Sequence, residues 1–418
     1  MNRVKENFQI SFQYIKTLIK WLLIAVVTGI VGGAVGTVFH KVLDYVTEFR
    51  THNTFVTYLM PVGVVIIIAM YRLGNKGKLD TNLVITSVRE EAKIPVILVP
   101  LIFCGTVITQ VFGGSAGREG AALQIGGGIG YNLGRVLKLN KNDTHIITMA
   151  GMSSVFAALF GTPVTAAIFS IEVIKVGAFN FTGLLPCSIA AICAYHFSTL
   201  FGVEKATFTG FEINDLSVVM IAKVIVLAVL CGLVSTLFCT VIKITGRIMK
   251  RCLKNAYIRG LVGASIVVFL TIAVRTFDYN GAGMNIVLRA LAGEARSYDF
   301  IMKMIFTAIS LAAGFKGGEI VPVFFVGATF GCVMGSVLGI GSGFAAAIGM
   351  VAVFCGVVNC PIASIILSIE MFGADGLALF AIACAVSYLM SGNSGLYKSQ
   401  SIVYSKITAD TVPDENKN

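Results

Sequence analysis

Two lone carboxylates stand among glycines in a strongly apolar chain: Glu119 in Gly117-Arg118-Glu119-Gly120, and Glu319 in Gly317-Gly318-Glu319-Ile320-Val321-Pro322. A carboxylate in such a place can take up and release a proton, or compete with an anion for the same hydrogen-bond donors. Placing an ionisable group in lipid costs about 3 kcal/mol even on forgiving insertion scales, so such groups normally line a substrate or proton path. The chemistry to expect is therefore transport.

The glycines bear on the same chemistry. Gly113-Gly114-Ser115-Ala116-Gly117 and Gly126-Gly127-Gly128 are poor helix interiors by propensity. Irregular backbone beside a helix N-terminus offers free N–H groups and a partial positive charge, an anion site without a full cation. The alternative for Gly126 to Gly130 is close helix packing, as small residues allow in membranes. A nucleotide loop is excluded, because no Lys-Ser or Lys-Thr follows at the required spacing. No Ser/His/Asp or Cys/His constellation supports an enzyme. His40, His52, His145 and His196 are far apart and the ten cysteines are scattered singly without a CxxC pair, so no metal or cofactor is assigned.

The elements that must position these residues are membrane helices. The 418-residue chain is 56% hydrophobic and 13% charged, with a mean hydropathy of +0.87, outside the range of soluble globular domains. Apolar runs long enough to cross about 30 Å of hydrocarbon lie around 21–46, 54–71, 94–112, 145–174, 217–243, 257–274 and 345–372. The polar, basic lead-in Met1 to Lys20 precedes a run too long for a signal h-region, so no cleavable signal is expected. Arg3, Lys5, Lys16 and Lys20 place the N-terminus in the cytoplasm by the positive-inside rule. The net charge of +11 comes largely from short connections between spans, and nucleic acid is not an expected partner.

The chain also repeats. Gly151-Met152, Phe156, Pro163 and Ile171-Glu172 recur as Gly349-Met350, Phe354, Pro361 and Ile369-Glu370, always offset by 198 residues, and Glu119 and Glu319 lie 200 apart. Residues 21–205 and 215–405 are thus expected to be two related membrane units between a cytoplasmic segment, 1–20, and a short polar tail, 406–418, too short for a regulatory domain. Such paired units build ion sites near the membrane midplane from broken helices. The residues leave open whether the repeats are parallel or inverted.

Gly114-Ser115-Ala116-Gly117-Arg118-Glu119-Gly120 resembles the GxSAGREGP segment of the CLC family of anion channels and proton-coupled antiporters, with Ala121 where proline is usual. Gly318-Glu319-Ile320-Val321-Pro322 resembles its GxFxP segment, and Gly395-Leu396-Tyr397 sits where its pore tyrosine is expected. The resemblance covers nearly the whole chain. It implies an all-α integral membrane protein with the CLC-type fold of two related, inverted repeats with broken helices, assembled as a homodimer in which each subunit has its own pathway.

The departures are informative. Where the family's GSGIP segment should fall, the chain reads Gly77-Lys78-Leu79-Asp80-Thr81-Asn82, without the serine that helps hold chloride. Val173 stands where chloride antiporters carry an inner proton-transfer glutamate, and Glu319 occupies a position that chloride-type members leave uncharged. This combination resembles the fluoride/proton antiporter branch, found in bacteria and used for fluoride resistance. It implies an inner-membrane exporter of fluoride in exchange for protons; the alternatives are a chloride/proton antiporter or a passive anion channel.

On that resemblance Glu119 is the gating and proton-coupling carboxylate, and Glu319 is either a second proton carrier or a polar group steadying gate and anion. Contacts to the anion are expected from Gly117, Arg118, Gly120, Leu79, Thr81, Asn82, Ile320, Val321 and Tyr397. Thr81 and Asn82 could equally be helix N-caps, and Arg118 structural. Glu319 could instead form an ion pair with Lys316. Glu172 and Glu370 are expected to make structural contacts. Fluoride is small, strongly hydrated and a strong acceptor, so firm backbone N–H and tyrosine O–H donors suit its dehydration.

Overall fold

The computed structural model describes residues 2–74, 79–90, 92–205, 207–208, 216–408 and 410–411, so Gly77, Lys78 and the last seven residues of the polar tail lie outside the described residues. The first half holds α1 (Asn2–His52), α2 (Met60–Gly74), α3 (Thr81–Glu90), α4 (Leu98–Phe112), α5 (Glu119–Val136), α6 (Lys141–Phe160), α7 (Pro163–Glu172) and α8 (Leu184–Leu200). The second holds α9 (Val218–Cys252), α10 (Ala256–Val274), α11 (Met284–Leu291), α12 (Asp299–Ala313), α13 (Ile320–Leu338), α14 (Ser342–Val358), α15 (Pro361–Phe372) and α16 (Leu377–Met390). Among the described residues, seven helical segments are long and apolar enough to cross a membrane, including Ile10–His52, Val218–Cys252 and Ile320–Leu338.

Two expected spans are broken. The apolar run 145–174 divides into α6 and α7, and 345–372 into α14 and α15. The cause is local and repeated: Gly161 and Asn359 end the first helix in the left-handed conformation (φ 66° and 56°), and Pro163 and Pro361 open the next. Each short helix opens with N–H groups that have no partner within the helix. The other half supplies the partners. Glu172 accepts from Ile362 N (3.1 Å) and Ala363 N (2.8 Å), while Glu370 accepts from Val164 N (3.0 Å) and Thr165 N (2.7 Å). The two matched glutamates exchange caps across the repeat boundary.

The glycine run Gly126 to Gly130 corrects the expectation of an irregular anion site, because it lies within α5. There the glycines serve packing. A Cβ on Gly126 would collide with the Gly151 carbonyl, and one on Gly130 with the Ile147 carbonyl, so α5 and α6 touch backbone to backbone. Gly327 against Gly349 and Gly331 against Ala345 repeat the contact between α13 and α14. Between these crossings the rings of Phe156, Phe169, Phe354 and Phe324 pack in sequence, with successive centroids 5.4, 5.9 and 5.2 Å apart, joining the halves through the core.

The halves are inverted. Lys20 pairs with Asp143 at the start of α6, so α5 runs from Glu119 toward the face holding the early part of α1. Lys223, near the start of α9, donates to Gly339 O just beyond α13 (2.9 Å), whereas the other end of α9 meets Lys398. The neighbouring Ser399 O accepts from Arg89 (2.6 Å); Arg89 and His145 line one cavity, and His145 lines another with Tyr14 and Trp21 of α1. The end of α9 thus shares the N-terminal face, and α13 runs from the centre to the opposite one.

Candidate functional site

The two glycine-rich segments meet at the centre. Gly117 and Gly318 form an antiparallel bridge, Gly117 N donating to Gly318 O (2.5 Å) and Gly318 N to Gly117 O (2.8 Å). Immediately beyond, α5 begins at Glu119 and α13 at Ile320 with Glu319 as its N-cap residue. Both carboxylates therefore stand at helix N-termini, where the helix dipole favours negative charge and free N–H groups gather.

Glu119 is fully buried. Its Oε2 accepts from Arg118 N (2.9 Å) and Val321 N (3.3 Å), one donor from each half, while its Oε1 has no partner among the described residues. A Cβ on Gly117 would enter the space of this carboxylate, and one on Gly120 would press on the Gly318 backbone, 2.9 Å from its Cα. No ion pair between Glu319 and Lys316 occurs among the described residues; the Lys316 ammonium lies 4.2 Å from the centre of the Tyr71 ring.

Two cavities open on either side. One, about 450 Å³, is lined by Arg118, Val321, Gln110 and Arg50 and lies at the end of α1 remote from its N-terminus. The other, about 580 Å³, lies on the N-terminal face, where Glu319, Gly395 and Leu396 meet the cations Lys243, Arg247, Lys250 and Lys398. Glu119 touches residues lining the first, and Glu319 lines the second. Tyr397 is buried within electrostatic reach of both carboxylates, with its hydroxyl unpartnered among the described residues.

The remaining residues sort by distance from this line. Ile320 and Val321 are buried in the first turn of α13. Arg118 is divided: its backbone N–H faces Glu119, but its guanidinium pairs with Asp44 (3.1 Å) at the first cavity. Asp80, rather than Thr81 or Asn82, caps α3 by accepting from Leu83 N (3.1 Å). Thr81 Oγ1 accepts from Gln124 Nε2 (3.0 Å) and lies 3.5 Å from Gly120 O, and Asn82 Oδ1 accepts from Ser399 N (3.1 Å). Leu79 is buried beside them in sequence. Gln110 and Gln124, which no motif marked, are each buried with an Oε1 unpartnered among the described residues. Gln110 is the lone amide of the apolar α4, the uncharged version of the signal that marked the glutamates.

The sequence profile of the voltage gated chloride channel family matches residues 62–392. This chain belongs to the CLC family. It is 34% identical to the chloride/fluoride channel protein of Pseudomonas syringae pv. tomato over 93% of this chain and 87% of that one. The crystal structure of a CLC-type fluoride/proton antiporter superposes with a TM-score of 0.89 at 33% identity, over 92% of this chain and 98% of that one. A slow cyanobacterial Cl−/H+ antiporter, at 18% identity and a TM-score of 0.77 over 89% and 94% of the two chains, shares the fold. The inverted, broken-helix architecture is thus the CLC fold, and the chain is a multi-pass membrane protein.

Proposed function

We propose that this CLC protein exports fluoride in exchange for protons. The observation that carries antiport is the pair of carboxylates at the meeting helix N-termini, one held beside the first cavity and one lining the second. The choice of ion rests on the two relatives at 34% and 33% identity, named for chloride/fluoride and for fluoride/proton transport. The N-terminal face is cytoplasmic, so the cationic cavity is the inner vestibule and the Arg118 cavity the outer one. The protein works as a homodimer in the bacterial inner membrane, with one pathway in each subunit.

Ionised Glu119 occupies N–H donors that an anion could also use. Protonation from outside weakens that hold, and the side chain leaves the donors of Arg118 and Val321 to fluoride. Fluoride enters from the cytoplasm past Glu319, Gly120 and Tyr397, whose free hydroxyl can donate to it. The proton passes inward through Glu319, which opens on the inner vestibule. One carboxylate thus ties both ions to a shared set of donors, and the second carries the proton the rest of the way.

Purified protein in potassium-loaded liposomes tests this with fluoride- and chloride-selective electrodes and external pH. Rapid fluoride loss with opposed proton uptake and little chloride loss is expected. Chloride efflux at a comparable rate would make it an unselective antiporter, and fluoride flux that moves no protons would make it a channel.

A further inference from the structure

Tyr397 belongs to no helix, yet its hydroxyl must be placed to within a hydrogen-bond length of a passing ion. What places it is the segment Ser394 to Lys406, laid across the ends of two helices. Leu396 N donates to Val357 O (3.0 Å) and Gln400 Nε2 to Val358 O (2.8 Å), so residues on both sides of Tyr397 are docked on last-turn carbonyls of α14 that the helix itself leaves open. Ser399 is held from the other half by Asn82, Thr86 (2.9 Å) and Arg89.

The far end is closed by Lys406. Its ammonium donates to Asn359 Oδ1 (2.6 Å), Tyr388 O (2.8 Å) and Ser391 Oγ (3.0 Å), three acceptors for three N–H groups, and lies 3.8 Å from the centre of the Tyr388 ring. Asn359 and Ser391 are the C-caps of α14 and α16, so the cation sits at two helix C-termini, where the dipoles favour it. Asn359 also reaches the near end, its Nδ2 donating to Ser394 O (3.1 Å). Lys406 and Asn359 therefore close the segment into a loop around Tyr397. Burial pushes the Lys406 ammonium down to about 8, a cost that a solvated tail lysine would not carry.

We propose that Lys406 is a positioning residue for Tyr397, locking the loop that fixes the tyrosine hydroxyl at the inner end of the pathway. This rests on Tyr397 being a donor to the transported anion. Freed at Lys406, the loop lets the hydroxyl drift, so internal fluoride binds more weakly and more of it passes without a proton.

The test uses the full chain in liposomes, measuring the KM for internal fluoride and the fluoride-to-proton ratio for Lys406→Met, Lys406→Arg, Tyr397→Phe and the double variant Tyr397→Phe/Lys406→Met. Lys406→Met should raise both quantities several-fold, and Lys406→Arg, which keeps charge and donors, should return them toward wild type. In the Tyr397→Phe background Lys406→Met should add almost nothing, because the group it positions is already gone. An unchanged KM and ratio in Lys406→Met, or the same factor with and without the Tyr397 hydroxyl, overturns the proposal. An inert Tyr397→Phe would instead overturn the donor role of Tyr397, and the positioning role with it. If Lys406→Met fails to elute as folded protein, Lys406→Gln, which retains a donor, is measured with the same expected direction.

Discussion

At the residue scale, the decisive contact is between one carboxylate oxygen and two N–H donors from different halves of the chain. Gln at position 119 would keep the shape, lose the charge and present an NH2 that cannot accept. Glu119→Gln should therefore let a fluoride gradient run down without pumping protons, read as loss of fluoride-driven alkalinisation outside the liposomes. Proton pumping at the wild-type rate would remove Glu119 from the coupling step. Glu319→Ala should likewise abolish coupled exchange, because the proton then has no carboxylate at the inner vestibule. Both positions were legible in the sequence, since an isolated carboxylate in an apolar, glycine-rich segment is costly wherever it falls. The divided role of Arg118 was not, because its partner Asp44 is distant in the chain and belongs to no motif.

At the scale of elements, a short helix is stabilised when its first N–H groups are met. Glu172 and Glu370 do this reciprocally for α15 and α7, with two charge-assisted bonds each. Glu370→Gln keeps one acceptor and loses the charge, and should cost about 1.5–3 kcal/mol, the range for hydrogen bonds to charged groups. The measurement is the midpoint of thermal unfolding in detergent, which should fall; an unchanged midpoint would mean that water replaces the cap. The breaks at Gly161-Thr162-Pro163 and Asn359-Cys360-Pro361 were written in the sequence as Pro at the helix start and a left-handed residue before it. The hydrophobic runs concealed them, because hydropathy averages over a turn that only two or three residues make.

At the scale of the whole molecule, inversion sets α5 and α13 in opposite directions from one centre and so gives each face a vestibule. Thr54 lines the outer cavity and Lys398 the inner one. With exposed Cys104 and Cys252 replaced by Ser, Thr54→Cys should react with an impermeant thiol reagent only from outside and Lys398→Cys only from inside. Reaction of both from one side would refute the inverted topology. The inner cations Lys243, Arg247 and Lys250 follow one face of α9 and should draw fluoride in, so changing all three to Glu should lower the initial efflux rate several-fold at low salt. Raising ionic strength should shrink that difference, as screening requires.

Composition, the 198-residue repeat and the two carboxylates were determined by the sequence alone, because burial cost and spacing are properties of the chain itself. The direction of the repeats, the donors that hold Glu119, the exchange of caps and the loop carrying Tyr397 were decided only in the tertiary structure. Each of these joins residues remote in the chain, and which N–H reaches which oxygen depends on packing that no local pattern encodes.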